Sequence, residues 1–226
     1  TAAAGATGAH VIINNDNSKE HAVKIRGGID TPGYQLNWRA IEIYTQNGTK
    51  KENGSSVEIK GLVDIDVKNC ASLFARGNYA TIDIGGGRII SHNHSSIWTV
   101  GNEALINLNM QKDAEGNVID AGNNYLQIEG DVSTATPFYG SNGTINVGLN
   151  TADSYLKGHF YGVGNNNLYL RNGAVWDNMP AVTHNWAGGS YSTNNIISNV
   201  SNLYGGVDSD HAGNIYQHES EELRIK

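Results

Sequence analysis

The chain has 226 residues, a formal charge of −7 and only 16% charged residues, with 28 Gly, a comparable load of Asn, three Pro and a single Cys. The negative charge, and the lack of any basic cluster beyond Lys50-Lys51, exclude a partner held through nucleic-acid phosphates. The solitary Cys70 excludes a disulfide framework and a thiolate metal site. No run of eighteen apolar residues is present, so no helical membrane span is expected. The opening Thr-Ala-Ala-Ala lacks a charged segment ahead of an apolar core, so any leader peptide is expected to be already removed.

Asn and Gly are poor in helix interiors and good at turns, which makes helix improbable throughout. The apolar residues are mostly Val, Ile and Leu in short alternating runs, the period-two pattern of strands with one buried face. Residues 1–21 are small and polar around Val11-Ile12-Ile13 and read as an opening strand or cap. Residues 22–66 carry four apolar-x-apolar triplets, Val23-Lys24-Ile25, Ile41-Glu42-Ile43, Val57-Glu58-Ile59 and Val63-Asp64-Ile65. A Thr31-Pro32-Gly33 turn and a polar loop from Gln46 to Ser56 separate them. Ser72-Leu73-Phe74, Ile82-Asp83-Ile84, Ile89-Ile90, Ile97 to Val100 and Ile106-Asn107-Leu108 follow, with the His92-Asn93-His94 loop among them. Residues 111–124 are the most charged stretch and read as a loop standing off the body of the fold.

Regular triplets return at Leu126-Gln127-Ile128 and Ile145-Asn146-Val147 and lead to Leu168–Trp176, which reads LYLRNGAVW. In that stretch a strand ends at Asn172-Gly173, a pair that tolerates positive φ, before Ala174-Val175-Trp176 resumes an extended run. Beyond Trp176 the pattern decays through Met179-Pro180 and a Gly/Ser/Tyr/Asn-rich passage to Asn195, then closes on Leu223-Arg224-Ile225. Most steps from one triplet to the next fall between 16 and 25 residues. No single unit buries its own apolar face, so copies must stack, which is the signature of a solenoid.

The strict hexapeptide period of a left-handed β-helix is absent, and uneven rungs suit a right-handed parallel β-helix. The expectation is therefore an all-β, right-handed parallel β-helix forming one domain over residues 1–226. Taking one triplet per turn predicts about ten turns and, at ~4.8 Å per rung, a rod about 50 Å long. Stopping on a strand triplet suggests an open rung and hence a fragment of a longer chain.

The L-x-L-x-N-G-A-x-W run at 168–176, the many V/I-x-I/L-x-G rungs, the Asn/Gly/Ser/Thr-rich turns and the late passage from Gly206 to Ile225 resemble the passenger domains of pertactin-like bacterial autotransporters. The likeness covers most of the chain as pattern, and its most specific motif is the 168–176 rung. It implies a β-helix on the surface of a Gram-negative bacterium, attached through a C-terminal outer-membrane barrel that is not in this chain. It also implies an adhesin or self-associating module, whose partner is a host surface protein, a glycan or a second copy, and no cofactor. No RGD-type attachment motif and no protease segment accompany it.

The search for chemistry yields little. No carboxylate pair or Cys near His92 and His94 completes a metal set, so a solvated loop is the default and no metal is expected. Asp64, Asp66 and Asp83 lie within triplets where stacking would align them, as acid–base carboxylates do in β-helix polysaccharide lyases and hydrolases. Their plainer role is as the outward residues of alternating strands. A carbohydrate-active enzyme is thus the alternative to a non-catalytic adhesin, with no catalytic residue assigned. No G-x-S-x-G elbow occurs. Tyr139, Tyr155, Tyr161, Tyr169, Tyr204 and the aromatics of 184–191 suit outward positions, whereas Trp98 and Trp176 lie in apolar runs and are expected to be buried. The irregular regions are Gly101–Asn124 and Met179–Asn195. The second carries His184, Trp186 and Tyr191 without the alternation that would bury them, which makes these three the candidate binding residues.

Overall fold

The computed structural model describes residues 2–4, 8–28, 39–46, 48–92, 95–134, 143–179, 184–186, 189–191, 197–218 and 222–225, and of 2–4, 184–186, 189–191 and 197 the backbone alone. The Thr31-Pro32-Gly33 turn, Asn93, His94 and Tyr139 lie outside these residues. Within them the protein is all-β, with large parallel sheets curled around one apolar core. Helix among the described residues is limited to two 3-10 turns, Lys51–Asn53 and Ser209–His211. No helix there is long and apolar enough to cross a membrane.

In chain order the first strands are β1 (Ala2–Ala4), β2 (His10–Ile13), β3 (Val23–Gly28), β4 (Arg39–Thr45), β5 (Ser56–Lys68), β6 (Ala71–Gly77), β7 (Thr81–His92) and β8 (Ile97–Val100). Next come β9 (Leu105–Leu108), β10 (Met110–Lys112), β11 (Val118–Ala121), β12 (Leu126–Glu129), β13 (Val132–Ser133), β14 (Thr144–Leu149), β15 (Tyr155–Lys157) and β16 (Phe160–Tyr161). The last are β17 (Asn165–Leu170), β18 (Val175–Asn178), β19 (His184–Trp186), β20 (Gly189–Tyr191), β21 (Ile197–Val200), β22 (Asn202–Tyr204), β23 (Asn214–Gln217) and β24 (Glu222–Ile225).

The chain visits three parallel ladders in a constant order. The first ladder runs β2-β5-β7-β9-β14-β17-β22, and the second runs β3-β5-β7-β12-β15-β18-β23. β5 and β7 are long enough to serve in both, the front half of each in the first ladder and the back half in the second. The third runs β1-β4-β6-β8-β13-β16, and β21 pairs separately with β24. Each ladder stacks like on like. Ile13, Ile59, Ile84, Leu108, Val147, Leu168 and Leu203 form one column of register partners. Ile25, Ile65, Ile89, Ile128, Leu156, Trp176 and Ile215 form the second. Ile41, Leu73, Ile97, Val132 and Phe160 form the third.

These columns are the core. Fifteen of these nineteen side chains are buried, the exceptions being Ile13, Ile25, Leu203 and Ile215 at the ends of the first two columns, and each fully buried aliphatic one contributes roughly 1.5–3 kcal/mol. Period-two alternation is what aims them inward: along β5 from Ser56 to Ile59, and again from Val63 to Val67, buried and partly exposed residues alternate. The turn expected at Asn172-Gly173 is present, with φ of 52° and 77°. Trp176 is fully buried and meets Phe160 edge-on at 5.1 Å.

Three expectations need correction. All ten triplets fall in strands, but consecutive triplets often belong to different ladders: Val57 and Val63 share one strand yet lie in the first and second ladders respectively. One turn holds up to three such triplets, so the longest ladder is seven strands deep among the described residues. At ~4.8 Å per strand that is about 34 Å, short of the expected rod. Residues 111–124 do not stand off the fold, because β10 and β11 form an antiparallel hairpin tied back to it at both ends. Tyr161 and Tyr169 are buried, the first with its hydroxyl 3.0 Å from Ser95 Oγ, the second stacked on Tyr204 with centroids 4.3 Å apart.

Candidate functional site

Uneven spacing along the first ladder marks where extra chain leaves it. The partner of Ile84 is Leu108, but the partner of Leu108 is Val147, and the longer interval contains the β10–β11 hairpin. Likewise Leu168 is followed by Leu203, across an interval that contains β19 and β20. Both irregular stretches singled out in the sequence thus contain antiparallel hairpins. In the second, His184 pairs with Tyr191, Asn185 with Ser190 and Trp186 with Gly189. The fold therefore brings two of the three candidate binding residues, His184 and Tyr191, directly opposite one another and places Trp186 at the turn end of the same hairpin.

The carboxylates singled out as acid–base candidates are divided between two ladders. Asp64 and Asp66 face outward from the second ladder, beside Arg88 on β7 and Arg26 on β3. Asp64 is ion-paired with Arg26 and accepts from Arg88 Nη1 at 3.3 Å. Arg88 Nη2 reaches Asp66 at 2.8 Å, and His92 Nε2 lies 3.0 Å from the other Asp66 oxygen. Partial burial alone would raise both acid pKa values, but the bonds from Arg26 and Arg88 to Asp64, and from Arg88 and His92 to Asp66, outweigh it and hold both carboxyls below the usual range. Such carboxylates stay ionised near neutrality and are unsuited to donate a proton. Farther along this face Tyr155 is pushed up to about 12 by burial and by its bond to Glu129, whose Oε1 accepts from the hydroxyl at 2.9 Å.

Asp83 belongs to the first ladder and ends a column the sequence reading missed. Asn107, Asn146, Asn167 and Asn202 are successive register partners beyond it. Each side-chain amide donates to the residue before it: Asn107 to Asp83 at 2.7 Å, Asn146 to Asn107 at 2.7 Å, Asn167 to Asn146 at 2.8 Å and Asn202 to Asn167 at 2.9 Å. Four amides in a head-to-tail chain terminating on a carboxylate polarise one another in the same sense. A signal did exist, since Asp or Asn is the middle residue of the triplets at 82, 106 and 145. Only pairing shows that these residues stack.

The β10–β11 hairpin lies across this column. Lys112 pairs with Asp83 at one end, and Asp120 with Arg171 of the β17–β18 turn at the other, 2.6 Å apart. Gly148 on β14 is the seat beneath it: a Cβ there would come within 3.1 Å of Ala121 and 3.2 Å of the Met110 sulfur. Asn109, at φ 52°, anchors the crossing by donating to the carbonyls of Asn124 and Gly148, each at 2.8 Å.

Among the described residues no group of three or more His, Cys, Asp or Glu is placed to hold a metal ion. Comparison with protein-family models, with curated proteins and with solved structures found no match.

Proposed function

We propose that the chain is a right-handed parallel β-helix acting as a non-catalytic binding module. In this reading it is a cell-surface adhesin or self-association segment of the pertactin-like autotransporter passenger type, presented outside a Gram-negative cell. The observation that carries the proposal is the constant three-ladder order, with hairpins inserted at intervals: a rigid polar scaffold that displays irregular segments, where binding residues concentrate. Right-handedness is supported by the general preference of parallel strand connections, about 98% of which are right-handed. The absence of catalysis is supported by the ion pairs that occupy Asp64 and Asp66. Binding is assigned to the β19–β20 hairpin with His184, Trp186 and Tyr191, and the partner is a host protein, a glycan or a second copy.

Replacing Ala181 to Ser192 with a short Gly/Ser loop tests the assignment. Cell attachment or aggregation should fall while the melting temperature stays within a few degrees. Unchanged attachment would remove the hairpin and leave the faces of the ladders as the binding surface. A carbohydrate-active enzyme is the second reading, favoured by Asp83, which lies beside Lys112 in a surface cleft. Turnover in a panel of acidic and neutral polysaccharides, abolished by Asp83→Ala, would establish it in place of the adhesin.

A further inference from the structure

Five residues other than glycine have positive φ among the described residues. Asn69, Asn109 and Asn172 are of the type that tolerates this conformation. Tyr79, at 59°, and Glu103, at 57°, are not. They occupy equivalent places in the fold: each lies two residues ahead of a first-ladder strand, before the register partners Thr81 and Leu105. Backbone strain of this kind persists only where the surroundings enforce it, and it collects at ligand sites. Both strained residues line a single cleft of about 440 Å³, within the ~300–1,000 Å³ range of small-molecule sites. Ser56 and Thr81, which are register partners on β5 and β7, line it as well, and Lys112 enters it from the hairpin.

We propose that this cleft binds a neutral hexopyranose unit of a glycan. Tyr79 and Leu105 provide the apolar surface that the C–H face of a sugar ring requires. The Ser56 and Thr81 hydroxyls both donate and accept, and Ser56 Oγ is already oriented by His10 Nδ1 at 2.8 Å. Glu103 accepts from sugar hydroxyls, and Lys51, on the same cleft, donates to them. The charges of Lys51 and Glu103 oppose, and Lys112 is engaged with Asp83, so the site favours a neutral ring over a uronate or a phosphate. The inference rests on the reading of the chain as a binding module and gives it a site and a ligand class apart from the β19–β20 hairpin.

Saturation-transfer NMR with the methyl glycosides of glucose, galactose, mannose and N-acetylglucosamine tests it, using the wild-type chain, Tyr79→Asn and Glu103→Asn. Asn holds positive φ at little cost, so both variants should melt at or above the wild-type temperature. The wild type should transfer saturation to at least one glycoside, and Tyr79→Asn should weaken that affinity about two- to tenfold, the effect of losing one aromatic contact. The inference is overturned if no glycoside receives saturation, if both variants bind as the wild type does, or if Tyr79→Asn lowers the melting temperature, since the strain would then serve the fold. Cell attachment scored in parallel separates the two proposals. Attachment without glycoside binding ends this inference and leaves the adhesin reading standing; glycoside binding without attachment does the reverse.

Discussion

Alanine at Asn107 should be far more costly than alanine at Asn202, although both remove an amide from the same column. Asn107 is 2% exposed, donates to the Asp83 carboxylate at 2.7 Å and accepts from Asn146 at 2.7 Å. Its removal deletes a bond to a charged group, worth about 1.5–3 kcal/mol, and leaves the buried Asn146 amide without its acceptor, which costs a further ~1–3 kcal/mol. Partial relaxation brings the expected loss to about 2–4 kcal/mol. Asn202 is exposed and makes one such bond, to Asn167, which water replaces, so its loss should be about 0.5–1 kcal/mol. Urea denaturation followed by far-UV circular dichroism measures both, provided the slope of the transition is unchanged between variants. Equal losses at the two positions would refute the argument that burial along the column sets the value of each bond. Asn107→Asp sharpens the test: it replaces a donor with a second carboxylate facing Asp83, so at neutral pH it should be worse than alanine.

Trp176→Ala should cost about 3–5 kcal/mol, because it empties a fully buried site against Phe160 and strips the Gly158 carbonyl of its indole donor; a midpoint shift worth less than ~1 kcal/mol would mean that this part of the core collapses freely. Gly87→Ala should prevent folding or nearly so, since at φ 112° its Cβ would stand 2.1 Å from the Val63 carbonyl oxygen, whereas Gly116→Ala, at φ 85° in open space, should cost only the ~1–2 kcal/mol of the conformation itself; soluble yield and melting temperature distinguish them. Asp64 and Asp66 titrate below the ordinary aspartate value of 3.8 in the folded chain. The stability they confer is therefore complete above that pH and is lost as pH falls below it, and Arg88→Ala should flatten this acid limb. Identical acid limbs in the variant and the wild type would show that the Arg88 pairs contribute nothing to stability.

Local chemistry was sufficient to read the strands, their buried faces and the turn at Asn172-Gly173. Alternation decides which side chains point inward before any partner is chosen, and each of the ten triplets found in the sequence lies in a strand. The two excursions from the regular pattern were likewise visible as a loss of alternation. Which strand stacks on which was not legible, because register depends on loop lengths and on closure of the whole chain rather than on a residue's neighbours. Val57 and Val63 look like successive repeats, yet they serve different ladders, while Ile59 stacks on the more distant Ile84. The miscounted turns follow from that. So do the roles of the outward polar residues: in sequence Asp64 and Asp66 are solvent-facing carboxylates, and Asn107 and Asn146 are the outward residues of separate strand triplets, with nothing to link them to each other or to Asn167. Register turns the first pair into a network with Arg26, Arg88 and His92 and the second set into a bonded column. Tyr161 and Tyr169 became buried for the same reason, since an outward position is exposed only if nothing folds across it. Alternation is a property of one strand, whereas burial of its outer face and pairing of its charges are properties of neighbours that arrive tens of residues later.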